Sequence, residues 1–188
     1  MKRYDDFPMM SLIFAIDEAG GIGKDGKIPW YSKKDFAFFV EQTTKTTSDG
    51  KRNAVLMGRK CWESIPPKFR PLKGRLNVVV SRSLEPIQTE HLIISNDIDE
   101  VLRQLKKAQD ENEIETIWNI GGRDIYSWAL ERDLAEKLVV THIQNSFDAD
   151  VKIPEISWDL FEEDVSRASE EQKENDLVFT WNFYNRKA

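Results

Sequence analysis

NAVLMGRKCWESIPPKFRPLKGRLNVVVSR, residues 53–82, sets a cluster of cations between two strand-like runs. It opens with the strand-like run Asn53–Met57, turns at Gly58 into a short helical segment, crosses a Pro-rich loop and closes with a second strand-like run, Leu76–Val80. Between Arg59 and Arg82 it carries Arg59, Lys60, Lys68, Arg70, Lys73, Arg75 and Arg82 against one acid, Glu63, a local net of +6. The rest of the chain holds 20 basic and 32 acidic residues, a net of −12. An acidic protein that gathers its cations in one place concentrates a field suited to a small anion. Gly58 adds to this, because free N–H groups and the helix dipole favour phosphate at a helix start. The plain alternative is a solvated charged loop.

The composition sets the frame. At 188 residues the chain holds one domain with a substantial core and is short for two. Its apolar content of 40% is that of a globular protein rather than a disordered one. The single cysteine, Cys61, excludes an internal disulfide and an all-cysteine metal site, and it fits a reducing compartment. No metal centre is expected. No run approaches the roughly 20 apolar residues of a membrane span, and the start has no signal-peptide core. The expectation is a cytoplasmic protein with no membrane partner. The net charge of −6 argues against general nucleic-acid binding, as does a basic stretch without interleaved aromatics.

Beyond this stretch, Met9–Ile16 reads as a buried strand ended by Asp17-Glu18-Ala19-Gly20-Gly21. Asp35–Gln42 and Asp97–Ala108 read as helices, the second with a one-sided apolar face and an Asp97-x-x-Glu100 capping box. Thr116–Ile120 reads as a strand meeting Gly121-Gly122, Arg123–Leu130 as the next helix and Lys137–Ile143 as a further strand. Leu177, Phe179, Trp181 and Phe183 alternate with Val178, Thr180, Asn182 and Tyr184, the period-2 pattern of antiparallel pairing. The expected fold is a single α/β domain. It has a mostly parallel central sheet flanked by helices and a C-terminal antiparallel hairpin. In such a sheet the ligand lies beyond the carboxyl ends of the strands, so Gly58, Ser81, Gly121 and the loop after Ile16 should line one cleft.

Gly21-Ile22-Gly23-Lys24-Asp25-Gly26 matches G-x-G-x-x-G, but it runs into Ile28-Pro29-Trp30 rather than a helix. It reads better as a flexible glycine-rich loop that could act as a lid. Asp35 is the sharper signal. It sits at the start of Asp35-Phe36-Ala37-Phe38-Phe39-Val40, a helix apolar enough to expect burial, with Phe39 one turn along the same face. Desolvation beside aromatics raises a carboxyl toward proton exchange at neutral pH. The alternative for Asp35 is an N-cap, a role that Ser32 fills equally well. His91 and His142 lack metal-ligand spacing and read as structural. Cys61 follows a helix start, which could lower its pKa, although a small buried residue is the simpler reading.

Taken in order, these segments resemble the dihydrofolate reductase family over nearly the whole chain from about Met9. The resemblance rests on Gly21-Ile22-Gly23-Lys24, Ile28-Pro29-Trp30, Asp35-Phe36-x-x-Phe39, Met57-Gly58-Arg59-Lys60-x-Trp62-Glu63-Ser64-Ile65-Pro66, Arg70-Pro71-Leu72-Lys73-Gly74-Arg75, Ser81-Arg82, Ile120-Gly121-Gly122 and Thr141. It implies a reductase-like domain over residues 9–188 behind an N-terminal extension, 1–8. The implied reaction is NADPH-dependent reduction of 7,8-dihydrofolate to tetrahydrofolate, with hydride to C6 and a proton to N5. Such an enzyme serves one-carbon metabolism and thymidylate synthesis and is an antifolate target. By resemblance, Asp35 would hold the pterin ring and support protonation at N5 through a water near Trp30, with Thr141 fixing the carboxylate. Ile13, Ile28, Phe36, Phe39, Ser64, Ile65, Leu72 and Ile120 would line the pocket for dihydrofolate or its analogues. Arg75 would form a fork–fork pair with the α-carboxylate of the glutamyl tail. The cofactor would lie against Ala15, Ile22, Gly58, Arg59, Lys60 and Cys61. Ser81 and Arg82 would join Arg59 at its 2′-phosphate, and Ile120, Gly121, Gly122, Arg123, Asp124, Ile125 and Tyr126 would follow it further. A monomer is expected.

Two departures qualify the resemblance. Cys61 stands where the family usually has threonine, so cofactor binding is expected to be looser or thiol-sensitive. The family offers no guide to residues 1–8. The alternatives are a related pterin or pyrimidine reductase of the same fold, or a non-catalytic folate- or nucleotide-binding module. The Trp30/Asp35 pair and the Arg75 fork discriminate against the first. Retention of Asp35 discriminates against the second.

Overall fold

The computed structural model describes residues 4–188; of the extension 1–8, residues 1–3 lie outside the described residues. The strands are β1 (Met10–Ile16), β2 (Gly21–Gly23), β3 (Arg52–Gly58), β4 (Arg75–Val80), β5 (Ile87–Gln88), β6 (Leu92–Ser95), β7 (Ile114–Gly121), β8 (Ala135–Ile143), β9 (Val151–Lys152), β10 (Phe161–Glu163), β11 (Gln172–Glu174) and β12 (Leu177–Arg186). The helices are α1 (Lys33–Thr44), α2 (Arg59–Ser64), α3 (Ile98–Asp110) and α4 (Arg123–Glu131). One large sheet runs β10-β12-β8-β1-β7-β3-β4-β6-β5, with β11 on β12. Its centre, β8 through β6, is parallel, and β12 returns antiparallel along β8. The α/β class and the antiparallel close are therefore as the periodicities predict. The hairpin is only part of that close, because β12 spans ten residues and pairs with β8 and β10 as well as β11.

The sheet separates two apolar layers. Leu12, Leu56, Val78 and Ile117 pack with Val101, Leu102 and Leu105 of α3 and Tyr126 and Ala129 of α4. On the other face, Ile13, Val55, Met57, Val79, Trp118 and Val139 meet Leu72 and Phe183. Adjacent residues such as Leu12 and Ile13 divide between the layers as strand alternation requires.

Boundaries move by a few residues. Met9 precedes β1; β7 and β8 each start two residues before the sequence reading. The Asp97 capping box is half formed: its carboxylate accepts from the Glu100 N–H at 3.0 Å, but the Asp97 N–H goes to Ser95 Oγ. The larger correction concerns α1. Only Thr43 is fully buried in it, and Phe36 is 59% exposed. The helix needs only Phe38, Phe39 and Thr43 to dock on the sheet, which leaves its first turn open to one side.

Candidate active site

The parallel order β1-β7-β3-β4 brings the carboxyl ends of four neighbouring strands to one edge, with Ile16, Gly121, Gly58 and Val80 as their last residues. The approach there is close. A Cβ added to Gly58 would lie 3.3 Å from Ile125 and 3.9 Å from the Gly122 nitrogen. One on Gly121, where φ is +99°, would fall 2.7 Å from the Tyr126 ring. Asn119, buried between them, fixes this turn by accepting from the Gly121 N–H (3.1 Å) and donating to the Ile125 carbonyl (3.0 Å). The Gly121–Gly122 peptide is cis.

Asp35 lies at the third position of α1, not at its cap. Ser32 is the cap, accepting from the Asp35 N–H at 3.0 Å. The Asp35 side chain is thereby free to point at the sheet, where its Oδ1 accepts from the Thr141 hydroxyl (2.6 Å) and the Trp181 indole N–H (3.0 Å). Burial raises the Asp35 carboxyl above its ordinary range. The two hydrogen bonds pull it back, and Glu174 pushes it up again.

Arg75 occupies the opposite condition, a cation 5% exposed at the start of β4. It donates to the Lys73 carbonyl (3.0 Å) and to Thr43 Oγ1 (2.9 Å). Among the described residues no carboxylate forms an ion pair with it. Buried Asn77 shapes the loop before it, accepting from the Leu72 N–H and donating to the Leu72 and Arg75 carbonyls. A guanidinium with two neutral partners has N–H donors to spare.

Six of the expected lining residues fall in one apolar cluster: Ile13, Phe39, Cys61, Ile65, Leu72 and Ile120. Ala15 and Trp30 join a neighbouring cluster that includes Trp181, with Trp30 tilted on Phe147 at 5.4 Å. Phe36 stands 6.5 Å from Phe39, while Ile28 is 62% exposed. Arg59, Lys60, Arg82, Arg123 and Asp124 are on or near the surface, and Arg59 pairs with Glu63 at 2.8 Å. Ile22 and Ile125 pack at the margin of the α3/α4 layer.

Several of the expected side chains are engaged within the protein. Tyr126 is buried and its hydroxyl donates to the Ile13 carbonyl at 2.7 Å, which ties α4 to β1. The Ser64 hydroxyl turns back onto the Cys61 carbonyl, and Ser81 Oγ accepts from the Ser83 and Leu84 N–H groups. The Cys61 thiol is not activated by its helix start. Burial pushes it up to about 12 while it donates to the Ile120 carbonyl at 3.7 Å.

The glycine-rich loop is only partly loose. Gly21–Gly23 forms a ribbon with β9, and the buried Asp17 carboxylate accepts from the Ala19, Gly21 and Phe147 N–H groups. A Cβ on Gly21 would lie 2.4 Å from that of Ala149. His142 is structural, bonded to Tyr184 at 2.9 Å, and His91 is a surface residue beside Arg52. Sequence reasoning missed Asp17, Asn77, Asn119 and Trp181. Asn77, Asn119 and Trp181 were legible only as members of runs read as strands, and Asp17 only as the end of one.

Fold and strand-end residues together define an α/β enzyme of small molecules, with an acid held by two side-chain donors, a buried cation without an ion pair among the described residues, and two helix starts at glycines. A family model described as dihydrofolate reductase matches residues 9–186. A putative dihydrofolate reductase of Caenorhabditis elegans is 44% identical over 175 residues, covering 90% of this chain and 93% of the relative. Dihydrofolate reductase of Rattus norvegicus is 35% identical, covering 95% and 97%. The solved structure of Schistosoma mansoni dihydrofolate reductase superposes with a TM-score of 0.83 at 32% identity, covering 96% of this chain and 100% of that one. The chain belongs to the dihydrofolate reductase family, whose enzymes reduce dihydrofolate to tetrahydrofolate.

Proposed function

We propose that the chain reduces 7,8-dihydrofolate with NADPH as hydride donor, and that Asp35 and Arg75 anchor the two ends of the substrate. The observation that carries this reading is the occurrence, in one domain, of an enclosed acid and an enclosed cation that lacks a carboxylate partner. Arg75 takes the α-carboxylate of the glutamyl tail in a charge-assisted fork. Asp35 takes the pterin ring. With Oδ1 committed to Thr141 and Trp181, Oδ2 is the oxygen left to face the ring. A carboxyl raised by burial holds a proton closer to neutral pH than a free aspartate does. That suits it to support protonation at N5 through water beside Trp30. Phe36, Phe39, Ile65 and Leu72 enclose the rings, and the exposed Ile28 and Phe36 close over them.

The residues at the strand ends fit a phosphate-bearing dinucleotide. The N-caps of α2 and α4, Gly58 and Gly122, make no side-chain capping bond, so their first-turn N–H groups are open to an anion. Arg59, Lys60 and Arg123 follow in those same turns, and Ser81-Arg82 follows β4. These cations select the 2′-phosphate and therefore NADPH over NADH. When bound, NADPH supplies the hydride.

The test is NADPH consumption with dihydrofolate, repeated with NADH and with Asp35→Asn. The expected result is turnover that prefers NADPH and falls by at least about 100-fold in the variant at neutral pH, with partial recovery in acid. Full activity of Asp35→Asn at pH 7 would falsify the role of this carboxylate. NADPH binding without turnover would point to another pterin-like substrate.

A further inference from the structure

We infer that Trp181 is a positioning residue for the reaction: its indole N–H and the Thr141 hydroxyl together lock Oδ1 of Asp35, leaving Oδ2 alone to meet the substrate. The inference rests on the assignment of Asp35 above and extends it to a residue on the last strand.

The geometry is over-determined. Trp181 and Thr141 are direct cross-strand partners on β12 and β8, so their side chains leave the sheet on the same face, side by side. Both then donate to the same carboxylate oxygen, at 3.0 Å and 2.6 Å. The indole cannot easily rotate away. Phe38 stacks on it with ring centroids 4.4 Å apart and planes 9° apart, and Phe179 braces it at 5.6 Å. Phe38 belongs to α1 and lies three residues after Asp35, one helical turn along. The same ring that registers α1 against the sheet thus presents an N–H to the acid that α1 carries. If position 181 served packing alone, a phenyl ring would do as well. The indole N–H is the part that packing does not require, and it lands on the carboxylate that Thr141 also holds.

The charged surroundings explain what this donor does. From β11, Glu174 faces Asp35 and pushes its carboxyl up, adding to burial. Glu174 Oε1 accepts from the Lys34 N–H at 3.3 Å. From α1 itself, the Lys34 ammonium is engaged by the Lys173 carbonyl. From β8 and β12, only Thr141 and Trp181 reach Asp35; His142 points to the opposite face, onto Tyr184. Two influences therefore favour the neutral acid and two donors favour the carboxylate. Removing the indole N–H leaves Thr141 as the only donor.

The experiment compares Trp181→Phe with the wild type in the full chain, reading kcat/KM for dihydrofolate from pH 5 to 9 and the Kd for NADPH. The expected result is a loss in kcat/KM of roughly tenfold at neutral pH with an upward move of the pH midpoint, while NADPH affinity is unchanged. In an Asp35→Ala background, where Trp181 has no oxygen at position 35 to hold, the same substitution should leave the dihydrofolate affinity where Asp35→Ala alone put it. An unmoved midpoint, or losses that add in the double variant, would overturn the inference. If Asp35→Asn is itself fully active, the functional assignment fails instead, so the two failures are distinguishable. Should Trp181→Phe fold poorly by circular dichroism, β-(3-benzothienyl)alanine at position 181 keeps the ring shape and removes only the N–H. With that residue, a wild-type pH profile would likewise overturn the inference.

Discussion

The Asp35 carboxyl is raised by burial and by Glu174, and the donors Thr141 and Trp181 do not cancel the rise. That imbalance has a consequence for stability. An aspartate in the unfolded chain titrates near ~3.9. Between that value and its higher folded value, the native state binds a proton that the unfolded state has released, so stability falls as pH rises through the window. Below the window both states are protonated and the penalty vanishes; above it the full penalty persists. Asparagine at 35 retains an oxygen for Thr141 and Trp181 but has no charge to bury. Asp35→Asn should therefore be more stable than the wild type in urea melts at pH 7, with the difference shrinking toward pH 4. A variant equally stable at both pH values would show that the wild-type carboxyl is not desolvated. The acid was legible because a carboxylate sat among phenylalanines. Its partner Trp181 was not, because a donor 146 residues away enters only through the pairing of β12 with β8.

Helix starts show how much an element's sequence can reveal. Asp97 and Ser32 are both textual N-caps, and each accepts an N–H from three residues on, at 3.0 Å. What the sequence could not separate is their consequence. The α3 cap faces solvent at the edge of a helix whose Val101, Leu102 and Leu105 are buried regardless. The α1 cap sits in the turn that carries Asp35, and α1 has little burial of its own to hold it. Replacing either cap by alanine should cost about 1 kcal/mol in denaturant melts. Only Ser32→Ala should also lower kcat/KM for dihydrofolate, because the first turn of α1 frays with Asp35, the carboxylate proposed to hold the pterin ring. Equal activity in both variants would mean that Trp181 and Thr141 fix Asp35 without help from the helix. The same contrast explains the two misread segments. Apolar letters in α1 suggested burial, yet several of those side chains border the cleft. Glycines 21–23 suggested a loose lid, yet the neighbouring Asp17 ties down its root with three backbone donors.

Across the whole molecule, the alternation of strands and helices was enough to predict the parallel centre of the sheet, whose strand ends bring Ile16, Gly58, Val80 and Gly121 to one edge. The roles of the buried polar residues near those strands were hidden, since Asn53, Asn77 and Asn119 sit in runs read as strands but their side-chain partners come from segments that only the topology brings close. Asn53 shows why: it ties the end of α1 to the sheet through the Thr43 and Lys45 carbonyls and the Thr116 N–H. The N-terminal segment shows the same limit. The family match begins at residue 9, yet Phe7 is only 5% exposed and belongs to the large α3/α4 core. Its ring lies against Tyr4 and Trp128, with the Arg103 guanidinium 5.2 Å from the ring centroid and paired to Asp6. This segment packs on the layer opposite the one that contains Ile13, Phe39 and Leu72, so stability and catalysis should separate there. Phe7→Ala should cost about 3–5 kcal/mol through the lost burial and the cavity left behind. At about 2–4 °C per kcal/mol for a chain of this size, the melting temperature should fall by roughly 6–20 °C. The dihydrofolate KM and kcat, measured well below the new transition, should stay at wild-type values, and Phe7→Leu should recover most of the loss. A melting temperature unchanged in Phe7→Ala would mean that residues 4–8 lie on the core without contributing to it. A change in KM would instead mean that the two apolar layers are coupled through β1.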